Sequence, residues 1–164
     1  MILGLVFLVH NPTISFCQTN QTLGEFLSEY RFDGKKLILT ESEWKERLTP
    51  EQFKVLRKSG TEEAFANTYY DNHQVGLYTC AGCALPLFSS EAKYEPGTGW
   101  PSFLHPICPG NVSYREDHHL FSTRTEVICS RCEGHLGHVF DDGPLPTGKR
   151  FCMNSTSLNF VPKK

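Results

Sequence analysis

The sequence predicts a mainly β fold of antiparallel sheets, sandwich-like or barrel-like, with short helices on its N-terminal side. Three observations predict it. From Val75 onward, eight short β-prone runs (VGLYT, LPLF, NVSY, HLFS, TEVI, HVF, RFCMN and SLNF) alternate with glycine and proline. Ahead of them stand two helix-start signatures. Two C-x-x-C pairs, far apart in the chain, are spaced to clamp distant strands around one metal ion.

The chain has 164 residues, 39% hydrophobic and 21% charged, which suits one domain with its own core. A net charge of -2 speaks against nucleic-acid binding. No apolar run is long enough to span a bilayer, so no stable membrane span is expected. Residues 1–36 read as leader and linker. Met1–Val9 is apolar and uncharged like the core of a secretory signal, with Ser15-Phe16-Cys17 as a small-x-small cleavage site. The usual basic start is missing, and a disordered N-terminus is the alternative. A signal would place the protein in the secretory pathway or endoplasmic reticulum; otherwise it is cytoplasmic or organellar. Sequons at Asn20, Asn111 and Asn154 are too common by chance to decide between them.

One domain is expected over residues 37–164. Thr40 and Glu43 form a capping box, with Trp44 and Leu48 four apart on one helical face. Thr49-Pro50 with Gln52 starts a second helix, and Gly60 ends it. The strand runs then begin.

Cys80 and Cys83 in CAGC, with Cys129 and Cys132 in CSRC, offer four thiolates for a closed tetrahedral site. Redox dithiols or two disulfides are the competing readings. Four ligands leave no open position, so one zinc per chain would hold the fold and do no chemistry. The gap between the pairs exceeds zinc-ribbon spacing, so the knuckles should come from two separate hairpins.

His135 and His138, flanked by Gly134 and Gly137, predict an irregular loop that other groups can approach closely. With zinc already satisfied, both imidazoles are expected to be metal-free; each could equally be a surface or core histidine. Cys17, Cys108 and Cys152 remain. Cys108, between prolines in HPICPG, reads as an accessible loop residue. Arg150, Cys152 and Asn154 share one face of a strand-like run. Arginine beside a thiol favours the thiolate, and asparagine offers an amide to a polar ligand, which makes a nucleophile's environment. A buried structural cysteine between Phe151 and Met153 is the plainer alternative. In GTGWPSF a stiff turn presents Trp100, either as core or as the wall of a small apolar pocket.

Taken together, CAGC, GTGWPSF, CSRCEGHLGHVFDDGP and GKRFCMNSTSL resemble the type B methionine sulfoxide reductases, as does LTPEQFKVLRKSGTEEAF upstream. The resemblance runs from about residue 38 to the C-terminus. It implies two antiparallel sheets with short N-terminal helices, and a structural zinc on Cys80, Cys83, Cys129 and Cys132. It implies reduction of methionine-R-sulfoxide in proteins and peptides, with thioredoxin or another thiol as reductant. By position, Cys152 would be the nucleophile, Trp100 would hold the methyl group, and His135 and His138 would bind or protonate the oxygen. Asn154 would help orient the substrate. Arg150, on the same strand face as Cys152 and Asn154, is expected to bind substrate as well. The chemistry agrees, since a thiolate can attack a protonated sulfoxide and take the oxygen as a sulfenic acid. Many members carry a resolving cysteine two residues before the tryptophan; here that position is Thr98. Cys108, Cys17 or an external thiol would then resolve the sulfenic acid. The protein reads as a monomer. A zinc-scaffolded binding module without catalysis is the competing reading, and a nucleic-acid-binding zinc ribbon a weaker one.

Overall fold

The computed structural model describes residues 28–119 and 122–163. After helical residues at 28–30, two helices precede the strands, α1 (Glu41–Arg47) and α2 (Pro50–Lys58). Both start on a complete capping box. The Thr40 and Thr49 hydroxyls accept from the N–H groups of Glu43 and Gln52, whose side chains reach back to the cap N–H. Helix α2 ends at Lys58, two residues before the predicted glycine, because Ser59 takes the left-handed conformation (φ 52°).

Nine strands follow among the described residues: β1 (Gly76–Cys80), β2 (Pro86–Ser89), β3 (Lys93–Tyr94), β4 (Ser102–Phe103), β5 (Val112–His119), β6 (Ser122–Cys129), β7 (His135–Phe140), β8 (Arg150–Met153) and β9 (Leu158–Pro162). They form two antiparallel sheets, ordered β2-β1-β9 and β3-β4-β8-β7-β6-β5. Their inner faces meet in an aromatic core. Phe88 of the small sheet stacks on Phe103 of the large one at 4.4 Å, and Tyr78 meets Phe103 edge-on at 5.0 Å. All three are fully buried. Each ring contributes about 1.5–3 kcal/mol by leaving water, before the entropy of ordering it.

Three features depart from the sequence reading. HLFS is not one strand: His119 ends β5 and pairs with Ser122 at the start of β6, while Leu120 and Phe121 lie outside the described residues. Strands β3 and β4 have two residues each, too short to show a period. The expected glycine loop around His135 and His138 is strand β7. Its pairing with β6 slips at Leu136, so Gly137 faces Val127 while His135 faces Ile128. That bulge matters, because residues three apart in a regular strand point to opposite faces. Here the extra residue brings both imidazoles together, with ring centroids 5.4 Å apart.

The register of the large sheet lines up one row across all six strands: Tyr94, Ser102, Cys152, His138, Glu126 and Arg115. Directly paired residues share a face. The polar chemistry of the chain is therefore gathered on one side of one sheet, and the core occupies the other.

Candidate functional site

The two knuckles are built alike. Each leaves a strand at its first cysteine, Cys80 at the end of β1 and Cys129 at the end of β6. The N–H of Ala84 donates to the Cys80 carbonyl and that of Glu133 to the Cys129 carbonyl, both at 2.8 Å. Ala84 and Glu133 each sit in the left-handed region, at φ 60° and 59°. This costs a non-glycine residue on the order of 1 kcal/mol and persists only where its surroundings enforce it. The four sulfurs converge between the sheets, all within 4.8 Å of one another. Cys80 and Cys132 are 3.6 Å apart, and Cys83 and Cys129 3.4 Å, far too long for disulfides. A tetrahedral ion bonded to sulfur at about 2.3 Å needs sulfur–sulfur edges of about 3.8 Å, so the cluster fits one. Mutual hydrogen bonds push the Cys80 and Cys129 thiols above the ordinary range and hold Cys83 and Cys132 below it. Without a cation, so crowded a set cannot ionise together. The helices cap this end. Arg47 donates to the Gly82 carbonyl at 2.7 Å and Arg57 to that of Cys132 at 2.8 Å, tying both helices to the knuckle turns.

Cys152 sits at the other extreme. It lies in strand β8 and is the one partly exposed cysteine among six described, the rest being buried. It lines an open cleft of about 120 Å³ with Trp100, Arg124, His138, Phe140 and Asn154. Trp100 is presented from a loop in which Gly97 and Gly99 take φ of 76° and 85°. Its indole N–H donates to the Glu62 carbonyl at 3.3 Å. The Asn154 amide donates to the Leu136 carbonyl and accepts from the Glu62 N–H, so its plane is fixed before anything binds. Glu62 in turn accepts from the N–H groups of Ser155 and Thr156. Behind the cleft, a Cβ on Gly137 would lie 2.1 Å from the Cys152 carbonyl oxygen. Only glycine lets β7 approach strand β8 so closely at Cys152.

Of the predicted site residues, the cleft joins Cys152, His138, Trp100 and Asn154. His135 and Arg150 stand behind its walls. His135 is 2% exposed, its Nδ1 2.6 Å from Glu126, which also accepts from Arg115. Burial raises the Glu126 carboxyl, but bonds from Arg115 and His135 win and hold it below its usual range. His138 places Nε2 2.8 Å from Asp117, which also accepts from Arg124 at 2.6 Å. Burial holds both imidazoles below the ordinary histidine pKa against these carboxylates, so both are neutral at pH 7. Arg150 donates twice to Asp142, at 2.8 and 2.9 Å, and lies 4.4 Å over the Phe140 ring. The expected lowering of the Cys152 thiol does not prevail. Burial raises it, and the Arg150 charge with the polar groups of Thr98, Ser102 and Arg150 beside the sulfur only partly offsets that.

Four side-chain atoms of the described residues are sealed from solvent without a hydrogen-bond partner: Tyr94 Oη, Thr98 Oγ1, Arg124 Nε and His135 Nε2. Arg124 lines the cleft with Cys152, Tyr94 and Thr98 stand on its β3–β4 side, and His135 lies behind it against His138. Cys108, expected on an accessible loop, is 6% exposed. Cys17 lies outside the described residues, as does Asn20. Asn111 and Asn154 are buried with their amides bonded, so neither sequon can accept a glycan in the folded chain. A larger groove of about 670 Å³ lies on the small sheet, but it contains no cysteine and none of the four unmatched groups.

Sequence reasoning missed Glu62, Asp117, Arg124 and Glu126. Glu62 stands in LTPEQFKVLRKSGTEEAF without a role that its neighbours would suggest, and the other three lie outside the motifs, brought to the site only by the strand register.

The model of the SelR domain matches residues 48–162. A peptide methionine sulfoxide reductase MsrB from Methanosarcina barkeri is 58% identical over 77% of this chain and 89% of its own length. A protein of the same name from Thiobacillus denitrificans is 53% identical over 76% of this chain and 94% of its own length. The human methionine-R-sulfoxide reductase B2, mitochondrial, is 52% identical over 79% and 75%. The domain match spans well over half the chain, and on that extent the chain belongs to the SelR domain family.

Proposed function

We propose that this protein reduces methionine-R-sulfoxide in proteins and peptides to methionine, with Cys152 as nucleophile. One observation carries the reading: the only cysteine with partial exposure among those described stands on one sheet row with His138, in a cleft walled by Trp100. An open cleft of this size admits the end of a side chain that projects from a larger substrate. The R epimer and the protein-bound substrate come from the names of the relatives. All the cleft's groups come from one chain, so a monomer suffices, and residues 37–164 make up the working unit.

The methyl group packs on Trp100 and the sulfoxide oxygen faces His138. The Cys152 thiolate attacks sulfur while the oxygen takes a proton. Cys152–S⁻ plus sulfoxide plus H⁺ gives Cys152–SOH plus thioether: the substrate sulfur gains two electrons and the cysteine sulfur loses them. His138 supplies the proton from its imidazolium form, which Asp117 favours and burial opposes. Arg124 adds positive charge beside the oxygen, and Asn154 orients the substrate. His135, held by Glu126, supports the His138 ring from behind. Buried Cys108 is poorly placed to resolve the sulfenic acid, which favours thioredoxin or another external thiol. That thiol releases water and forms a mixed disulfide, and a second thiol frees Cys152. Zinc on the four-cysteine cluster is structural and takes no part in these steps. The mitochondrial relative makes an organellar compartment compatible with this reading.

The test is turnover of the separated R and S epimers of a methionine sulfoxide peptide, with dithiothreitol and with thioredoxin. Wild type should consume only the R epimer, and Cys152→Ser neither. A serine variant that retains turnover refutes the mechanism. Metal analysis should find one zinc per chain in both.

A further inference from the structure

The unmatched groups around Cys152 lie on two flanks. His135 and Arg124 stand on the β7 and β6 side, where the sulfoxide oxygen belongs. Tyr94 and Thr98 stand on the β3–β4 side, where the proposed mechanism has given them nothing to do. Tyr94 is on the row of Cys152, through Ser102. Thr98 lies in the loop that joins β3 to β4. Together with Arg150 they wall a second hollow, next to the cleft.

The donors on this flank are not equivalent. The Ser102 hydroxyl already donates to the Trp100 carbonyl at 3.2 Å. Arg150 has its Nε and one terminal nitrogen committed to Asp142. Thr98 has a buried hydroxyl with no oxygen or nitrogen to bond, beside the sulfur that Ser102 and Arg150 also touch. A sealed hydroxyl that lacks a partner is costly unless an acceptor appears.

We propose that Thr98 is a catalytic residue whose hydroxyl donates to the Cys152 sulfur whenever that sulfur carries negative charge. This rests on Cys152 as the nucleophile. It acts twice. It favours the thiolate that attacks the sulfoxide, against the burial that opposes ionisation. It acts again when the mixed disulfide is broken: R–S⁻ attacks the reductant's sulfur, R–S–S–R forms, and Cys152 leaves as Cys152–S⁻ with the bonding pair. The other charged or titratable groups around the sulfur are Arg150 on β8, His138 on β7, Arg124 on β6 and Tyr94 on β3, with Asp142 and Asp117 behind the arginines. A change confined to Thr98 leaves all of them in place.

The experiment follows iodoacetamide alkylation of Cys152 against pH in the full-length, metal-loaded protein, read on the Cys152 peptide by mass spectrometry. Thr98→Val keeps the shape and removes the hydroxyl; Thr98→Ser keeps the hydroxyl. The valine variant should move the alkylation midpoint upward by about one pH unit, the scale of a hydrogen bond to a charged group. The serine variant should remain at the wild-type midpoint, which a packing role for the threonine methyl would not allow. Thr98→Ala, read with a thermal melt, covers the case in which valine disturbs the loop, and should shift as valine does. An unmoved midpoint in folded valine or alanine variants overturns the proposal, and so does an equal shift in serine. Epimer turnover by wild type decides the functional reading separately, since alkylation needs no sulfoxide.

Discussion

The chain handles sulfur in two opposite ways. At the knuckle end, four cysteines sit at strand ends and in the turns that follow, buried in the apolar core, with two arginines bonded to knuckle carbonyls rather than to sulfur. At the cleft, one cysteine sits mid-strand and partly exposed, ringed by hydroxyls, guanidinium groups and imidazoles. In the first place, negative charge on sulfur is tolerable only with a cation at the centre. In the second it must be held by oriented donors, which can let it go. Thiolate stability and thiolate reactivity ask for different neighbours, and strand register supplies one set while knuckle turns supply the other.

Removing the metal should have the largest effect. A chelator, or Cys129→Ser, should unfold the protein, because binding free energies of about 10–16 kcal/mol at such sites are also folding free energy. Cys152→Ser should leave the melting temperature within a few degrees while abolishing turnover. A chelated protein that retains its melting transition would show that the cluster is not the clamp.

Next in size is a contrast between two glycines. An added Cβ at Gly137 would overlap the Cys152 carbonyl at 2.1 Å, whereas at Gly82, in the first knuckle, it meets only ordinary contacts of 3.5–3.6 Å. Gly137→Ala should cost about 3 kcal/mol or more in urea unfolding and damage activity with it. Gly82→Ala should cost under about 1 kcal/mol. Equal losses would mean that the cleft's tight backbone approach is not what demands glycine.

The two regions were also unequally legible in the sequence. The knuckles announce themselves, because ligand spacing is local and the chemistry is that of one residue type. The helix starts were legible for the same reason: Thr40 with Glu43, and Thr49 with Gln52, satisfy each other within one turn. The cleft was legible only in its motif residues. Asp117 and Glu126 come to His138 and His135 through pairing of β5, β6 and β7, which no local pattern encodes. The bulge at Leu136 was hidden too, since glycines 134 and 137 suggest a loop as readily as an irregular strand. The raised Cys152 thiol was missed because a neighbouring arginine is visible in sequence while burial is not.

Asp117→Asn acts on the imidazole side of the cleft. The carboxylate 2.8 Å from His138 raises its pKa against burial. Its removal should lower the imidazolium fraction at neutral pH and reduce kcat/KM roughly tenfold, since an adjacent opposite charge is worth one or more pH units. The alkaline limb of the pH–rate profile should move to lower pH, while zinc content stays unchanged. An unmoved limb would remove His138 as the proton source.

The smallest effect separates the two regions by their response to acid. Both imidazoles have folded pKa values below the unfolded one, mainly through burial. The unfolded chain therefore binds protons first as pH falls. Stability from the neutral rings is fully present above the unfolded value of about 6.5, and is lost as pH drops from there toward the folded values. The metal cluster loses stability in the same direction, because its thiolates compete with protons for the ion. A single acid titration cannot divide the two. His138→Asn can, because it removes one histidine contribution and leaves the cluster untouched. Urea midpoints of both proteins should fall between pH 7.5 and 5.5 on the scale where these rings titrate, with the shallower fall in the variant. Parallel falls would assign the whole acid sensitivity to the four-sulfur end, and none of it to the cleft.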